Sequence, residues 1–158
     1  MYIVKYWENY FGGTDDSITL LDYLAGKQKE NISLGEIISD TGLDKLNSFK
    51  KTDSPLSVPI DGFEADIYYA IDLLTDLAAL LLECKVSGSV NLRDLWNGMK
   101  PDRIIRITAT PEEHELMNKA LMDFVASPLS YDLCEMVPQE DMMAMSEVCE
   151  EIRKELYE

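Results

Sequence analysis

Apolar positions recur along this chain with two periods, and the places where the period changes mark its elements. Tyr2 to Trp7 alternates aromatic and β-branched residues around Lys5, which predicts a first strand. Gly12-Gly13-Thr14-Asp15-Asp16 is a turn. Asp16 or Ser17 can then cap a helix to about Ala25, with Ile18, Leu21 and Leu24 at helical spacing and Gly26 at its end. Ser33-Leu34-Gly35-Glu36 places Glu three residues after Ser, a capping box, and opens a short helix that carries Ile37 and Ile38 and stops at Gly42. Residues 47–54 are polar and read as a loop.

The next stretch carries the strongest local pattern. Leu56, Val58 and Ile60 alternate, Asp61-Gly62 follows, and Phe63, Ala65, Ile67 and Tyr69 alternate again. Asp-Gly between alternating runs predicts a two-residue hairpin, because the turn demands positive φ. With Ile60 facing Phe63, Val58 faces Ala65 and Leu56 faces Ile67, so the apolar residues share one side. Pro59 then faces Glu64 and makes Leu56–Ile60 an edge strand. One long helix over 63–85 is the competing reading, and the hairpin is preferred.

Residues 70–85 form the expected central helix, apolar nearly all round after Asp76 and ended by Ser87-Gly88. Asn91 to Trp96 suggests a short helix closed by Gly98 and Pro101, and the isoleucine-rich Arg103–Thr108 a further strand. Thr110-Pro111-Glu112-Glu113 is a helix start with Thr at the N-cap, Pro first and Glu third. Leu116, Ala120, Leu121, Phe124 and Val125 supply that helix's inner face, and Pro128 limits it. A last helix from about Pro138 to Tyr157 buries Met142, Met145, Val148, Cys149, Ile152 and Leu156, leaving Met143 off the stripe. Strands and helices do not alternate regularly. The expected class is therefore α+β, a small, mainly antiparallel sheet packed with several helices, in one globular domain over residues 1–158.

Charge changes the picture more than composition does. Apolar residues make up 46% of the chain, enough for a core, yet 30 acids stand against 14 Lys and Arg, a net −16. The excess is steepest in residues 111–158, at 13 acids to 3 bases. Such a field keeps a protein soluble and steers basic partners toward it. Nucleic-acid binding is disfavoured, because no basic stripe is present. The most apolar stretch, Leu73 to Leu82, is too short and too charged to span a bilayer, and the first residues do not form a secretory signal. Cys84, Cys134 and Cys149 are odd in number and unpaired in spacing, which fits thiols in a reducing cytoplasm.

Candidate chemistry is sparse. His114 sits in Glu112-Glu113-His114-Glu115-Leu116-Met117-Asn118, which starts like a zinc-protease helix but has Asn where the second His belongs, and the chain holds no other His. The glutamates there are accounted for by the positive end of the helix dipole. No cysteine has a nucleophile context, no Gly-x-Ser-x-Gly elbow exists, and Gly12-Gly13 is not a phosphate loop. The acids at Asp15-Asp16 and at Asp61, Glu64 and Asp66 lack calcium-loop spacing. No catalytic residue, metal or cofactor is expected. The outer hairpin face, with Ser57, Glu64, Asp66 and Tyr68, combines acids with an aromatic ring and suits a Lys- or Arg-rich partner.

The chain resembles immunity proteins of bacterial contact-dependent growth inhibition and related polymorphic toxin systems. The likeness rests on Tyr2-Ile-Val-Lys-Tyr-Trp7, on Thr75-Asp-Leu-Ala-Ala-Leu-Leu-Leu-Glu-Cys-Lys85 and on Ile107-Thr-Ala-Thr-Pro-Glu-Glu-His114. These proteins comprise many folds and share no functional motif, so no binding residue is carried across. The resemblance implies a cytoplasmic protein that binds one cognate toxin domain and needs no catalysis, and the charge and hydropathy patterns above leave neither nucleic acid nor membrane as an expected partner. Many such toxins are nucleases with basic faces, which an acidic partner suits. The residues expected to meet the toxin are Asp15, Asp16, Glu64, Asp66, Tyr68, Glu135, Glu140 and Asp141. An acidic regulatory or adaptor domain for a basic protein is the alternative, and a hydrolase using an unmarked carboxylate pair ranks third.

Overall fold

A helix that is apolar on nearly every side is stable only when other elements enclose it, and residues 70–83 form such a helix, with Asp72, Thr75, Asp76 and Glu83 its polar members. A computed structural model describes residues 1–9, 11–96 and 101–158. Its elements are α1 (Asp15–Gly26), β1 (Asn31–Ser33), α2 (Leu34–Thr41), β2 (Leu56–Ile60), β3 (Phe63–Ile67), α3 (Ala70–Ser87), β4 (Val90–Asn91), β5 (Ile104–Thr108), α4 (Pro111–Ala126) and α5 (Gln139–Tyr157). Short 3-10 helices occur at Tyr2–Lys5, Leu43–Lys45, Leu92–Asp94, Pro128–Ser130 and Asp132–Glu135. Every residue of α3 from Ala70 to Glu83 is buried. Helices α1, α4 and α5 and strands β4 and β5 pack around it.

The class is α+β. One sheet has the order β1-β5-β4, and the β2–β3 hairpin stands as a second. β1 runs parallel to β5, with Ile32 beside Ile107, and β4 antiparallel to it, with Val90 beside Ile105. The hairpin has the register read from its alternation: Leu56 faces Ile67, Val58 faces Ala65, Pro59 faces Glu64 and Ile60 faces Phe63. Asp61 and Gly62 both take positive φ, 46° and 85°, as a turn of this hand requires. The strand reading therefore wins over a continuous helix from 63. Phe63 is the exception to its burial pattern, 60% exposed at the hairpin tip.

Several elements differ from their sequence reading. Tyr2–Lys5 is a 3-10 helix, not a strand. Ile3, Tyr6 and Trp7 are all buried, so the apolar spacing there is three and four rather than two. Thr14, not Asp16 or Ser17, caps α1 by accepting the Ser17 N–H at 3.1 Å. The buried stripe of α1 runs through Leu20, Leu21 and Leu24, and Ile18 lies at its exposed edge. Ser33 accepts the Glu36 N–H, but the Glu36 carboxylate turns to Lys27 and Lys29 instead of closing the box. Thr110 and Glu113 do make both bonds of a capping box at α4. On α4, Met117 is buried and Leu116 exposed, a one-residue rotation of the expected face. Leu92–Asp94 is the short helix expected near Asn91–Trp96, and Gly98, its expected stop, lies outside the described residues.

Candidate binding face

The corner between β3 and α3 is built from an acid buried beneath it. Asp16, in the first turn of α1, accepts the Tyr68 N–H at 2.9 Å on one carboxylate oxygen and the Tyr69 N–H at 3.0 Å on the other. This holds the chain extended at Tyr69, the N-cap of α3. Tyr69 has no side-chain cap bond, and Thr52 supplies one from a distance by accepting the Ala70 N–H at 3.0 Å. The 47–54 loop is tied in the same way. Asp132 accepts the Thr52 N–H at 2.8 Å, and its own N–H donates to the Lys50 carbonyl at 2.7 Å.

These ties produce a cleft of about 420 Å³ whose walls include Tyr68, Tyr69, Asp53, Asp132 and Glu135. A second cleft, about 400 Å³, shares Lys51, Asp132 and Glu135 with it and adds Leu129 and Cys134. Burial raises the Asp132 carboxyl above the usual range, against the opposing Thr52 and Leu133 N–H bonds, and Glu135 adds to the rise. Burial also raises the Tyr69 phenol, reinforced by Asp132, Glu135, Asp16 and Asp72. Asp53, Asp132 and Glu135 thus share the two clefts with Lys50 and Lys51, and Tyr68 and Tyr69 stand beside them.

Of the residues expected to meet a partner, Tyr68 and Glu135 line this cleft together. Glu64 and Asp66 are exposed on the hairpin face that Tyr68 continues, where the Ser57 hydroxyl donates to Glu64 at 2.7 Å. Asp15 is exposed, next in sequence to Asp16. Asp16 itself is a correction: it is 5% exposed and its carboxylate is spent on two backbone amides, so it shapes the face instead of presenting to a partner. Glu140 and Asp141 are exposed in the first turn of α5 and line neither cleft. The sequence reading missed Thr52, Tyr69 and Asp132, which act through contacts 18 to 80 residues away and leave no local spacing to read.

A further cleft, about 630 Å³, lies between α3, β5, α4 and α5, and Cys84 and His114 both line it. They do not constitute an activated nucleophile. Burial pushes the Cys84 thiol up, away from the reactive thiolate, and its sulfur accepts the Ile107 N–H at 3.5 Å. His114 Nδ1 meets the Tyr157 hydroxyl at 3.0 Å, with the rings edge to face. Lys85 donates to the Glu155 and Leu156 carbonyls and Arg106 to the Gly88 carbonyl, so these cations close helix ends. Among the described residues no three or more His, Cys, Asp and Glu side chains are grouped to hold a metal ion. No described helix is long and apolar enough to cross a membrane.

A family model described as Immunity protein 68 covers residues 2–156. No curated protein matches the chain, and no solved structure does.

Proposed function

The chain belongs to the Immunity protein 68 family, and from that premise we propose that it neutralises one cognate toxin domain by docking the toxin's basic surface on the acidic corner at Tyr68. The observation that carries this reading is the cleft in which Tyr68, Tyr69, Asp132 and Glu135 converge. The net −16 steers a positively charged toxin toward the protein. The tyrosines then supply rigid contact area at low entropic cost, and the acids take up Lys or Arg side chains desolvated by contact. Binding is one-to-one and takes place in the cytoplasm, where a contact-delivered toxin acts. A nuclease fits best, since its phosphate-binding surface is basic and an acidic partner occupies the place of its substrate. Inhibition of this kind requires no reaction and no cofactor.

The test is titration calorimetry against the toxin domain encoded beside this protein's gene, at low and high salt, paired with growth of cells expressing both. The expected result is nanomolar one-to-one affinity that weakens with salt without vanishing, and restored growth. Absence of binding at either salt concentration overturns the assignment for that pair. Binding that survives substitution of both Tyr68 and Glu135 moves the interface elsewhere.

A further inference from the structure

Three carboxyl groups lie inside the protein at the α1–α3 contact, with no ion-pair partner among the described residues. Asp16, Asp72 and Asp76 are 5, 3 and 0% exposed. Asp72 and Asp76 are one turn apart on α3, and the charges of Asp16 on α1 and Asp76 both bear on Asp72. Asp76 Oδ2 accepts the Ser17 hydroxyl at 2.6 Å, whereas its Oδ1 is fully buried without a partner. The other groups that bear on the cluster are Asp15 from α1, Asp132 from the 132–135 turn, the Gly12 amide and the Tyr68 and Tyr69 amides. None of these carries positive charge. Among the described residues, no ion pair includes Asp16, Asp72 or Asp76.

Three adjacent carboxylates cannot all be ionised in such a place. Each would lose its hydration and repel the other two, with no counter-charge to offset either cost. Their surroundings divide them into two kinds. Asp16 receives two backbone N–H donors, which favour its anion. Burial, then the charges of Asp76 and Asp16, oppose ionisation of Asp72, and no backbone donor among the described residues offsets them. Asp76 accepts the Ser17 hydroxyl on one oxygen and has no hydrogen-bond partner on the other, too little to offset its complete burial as an anion.

We propose that Asp16, Asp72 and Asp76 form a proton-held latch: while Asp72 and Asp76 keep their protons, Asp16 pins the Tyr68 and Tyr69 amides and fixes the β3–α3 corner, and loss of those protons loosens it. The latch lies beneath the face assigned above to toxin contact, but it depends on no partner. Its setting falls near neutral pH. Burial pushes Asp76 up to about 7, and burial followed by the charges of Asp76 and Asp16 pushes Asp72 upward as well. The folded protein therefore holds protons that the unfolded chain has released, between the ordinary carboxylate range near ~4 and about 7. Across that window stability falls as pH rises, and above it the loss levels off.

The test needs only the purified protein. Carbon-13 NMR of the aspartate carboxyl groups is followed from about pH 3 to 9, and urea unfolding is measured at each pH for wild type, Asp72→Asn and Asp76→Asn. Two aspartate carboxyl signals should titrate above pH ~6, with the Tyr68 and Tyr69 amide shifts moving in the same transition. The wild-type unfolding constant should rise at least about tenfold between pH ~5 and ~8. Either asparagine, neutral at every pH, should flatten that rise. The proposal is overturned if every aspartate signal titrates below pH ~5, or if both variants keep the full wild-type slope. Because no toxin enters, the result stands whether or not the toxin-binding assignment holds.

Discussion

Glu83 Oε1 accepts the backbone N–H of Tyr2 at 2.8 Å, joining positions 81 residues apart. The same oxygen lies 3.4 Å from the Ile3 N–H, and Oε2 accepts the Ser87 hydroxyl at 2.6 Å. One buried carboxylate on α3 thus satisfies the open donors of the first helical turn, which has no side-chain cap of its own. Glu83→Ala should cost about 2–3 kcal/mol in urea unfolding, the worth of hydrogen bonds to a charged group plus the amides left bare. Glu83→Gln, which keeps an acceptor oxygen, should cost less.

Gly12 has φ +87°, and a methyl group placed there would overlap the Trp7 indole. Gly12→Ala combines backbone strain with overpacking and should destabilise by roughly 1–3 kcal/mol. The Tm should drop and the Trp7 fluorescence shift to the red as its buried ring is displaced.

On the proposed interface, rates should separate by residue chemistry. Tyr68→Ala should slow nothing in association but speed dissociation, with a loss of about 2 kcal/mol. Glu135→Lys should lower the association rate and flatten its salt dependence. Glu140→Lys and Asp141→Lys, away from the cleft, should change the affinity little. Stopped-flow kinetics at two salt concentrations distinguishes these three behaviours, and all four variants should unfold within about 0.5 kcal/mol of wild type.

An opposite pH response should come from the Lys27 cluster between α1 and α2. Hydrogen bonds from Lys27 and then Lys29 hold Glu36 below the usual carboxylate range. At Asp40 burial works upward, but bonds from Tyr23 and Lys27 outweigh it and the net shift is down. With folded values below unfolded ones, the unfolded chain binds protons first, so this contribution is lost as pH falls below ~4. Lys27→Met should make the acid limb of the stability curve shallower. Urea midpoints between pH ~2.5 and ~5 check it.

The thiols should differ in reactivity. Cys149 is buried and its thiol is pushed up to about 12 by that burial, whereas Cys84 and Cys134 are half-buried. A disulfide reagent at neutral pH should leave Cys149 unmodified in the folded protein and count three thiols only after unfolding.

Local rules made the hairpin, the α4 cap and the central helix legible, because each is specified by residues within a few positions of one another. Asp61-Gly62 dictates its own turn, and Thr110 and Glu113 bond only to each other's backbone. The misread elements depend on distant atoms. The Tyr2–Lys5 turn needs Glu83, and β1 is a three-residue strand that exists because Ile32 finds Ile107. Asp16 looks like any first-turn acid until two amides from residues 68 and 69 arrive at its oxygens. For the same reason the exposed members of the candidate face were visible as acids beside a tyrosine, whereas Thr52 and Asp132, which shape its cleft, were not.

The bond between Tyr2 and Glu155 bears on when the protein begins to act. The Tyr2 hydroxyl donates to Glu155 at 2.7 Å, and Lys85 closes the carbonyls of Glu155 and Leu156. Ribosomes add roughly 5–20 residues per second, so a nascent chain waits ~8–30 s between making Tyr2 and making its partner. Until α5 emerges, Tyr2 and the C-terminal turn of α3 lack the contacts that complete them. A chain cut short before Glu155 should accordingly lack the contacts that finish its first turn and should give no protection.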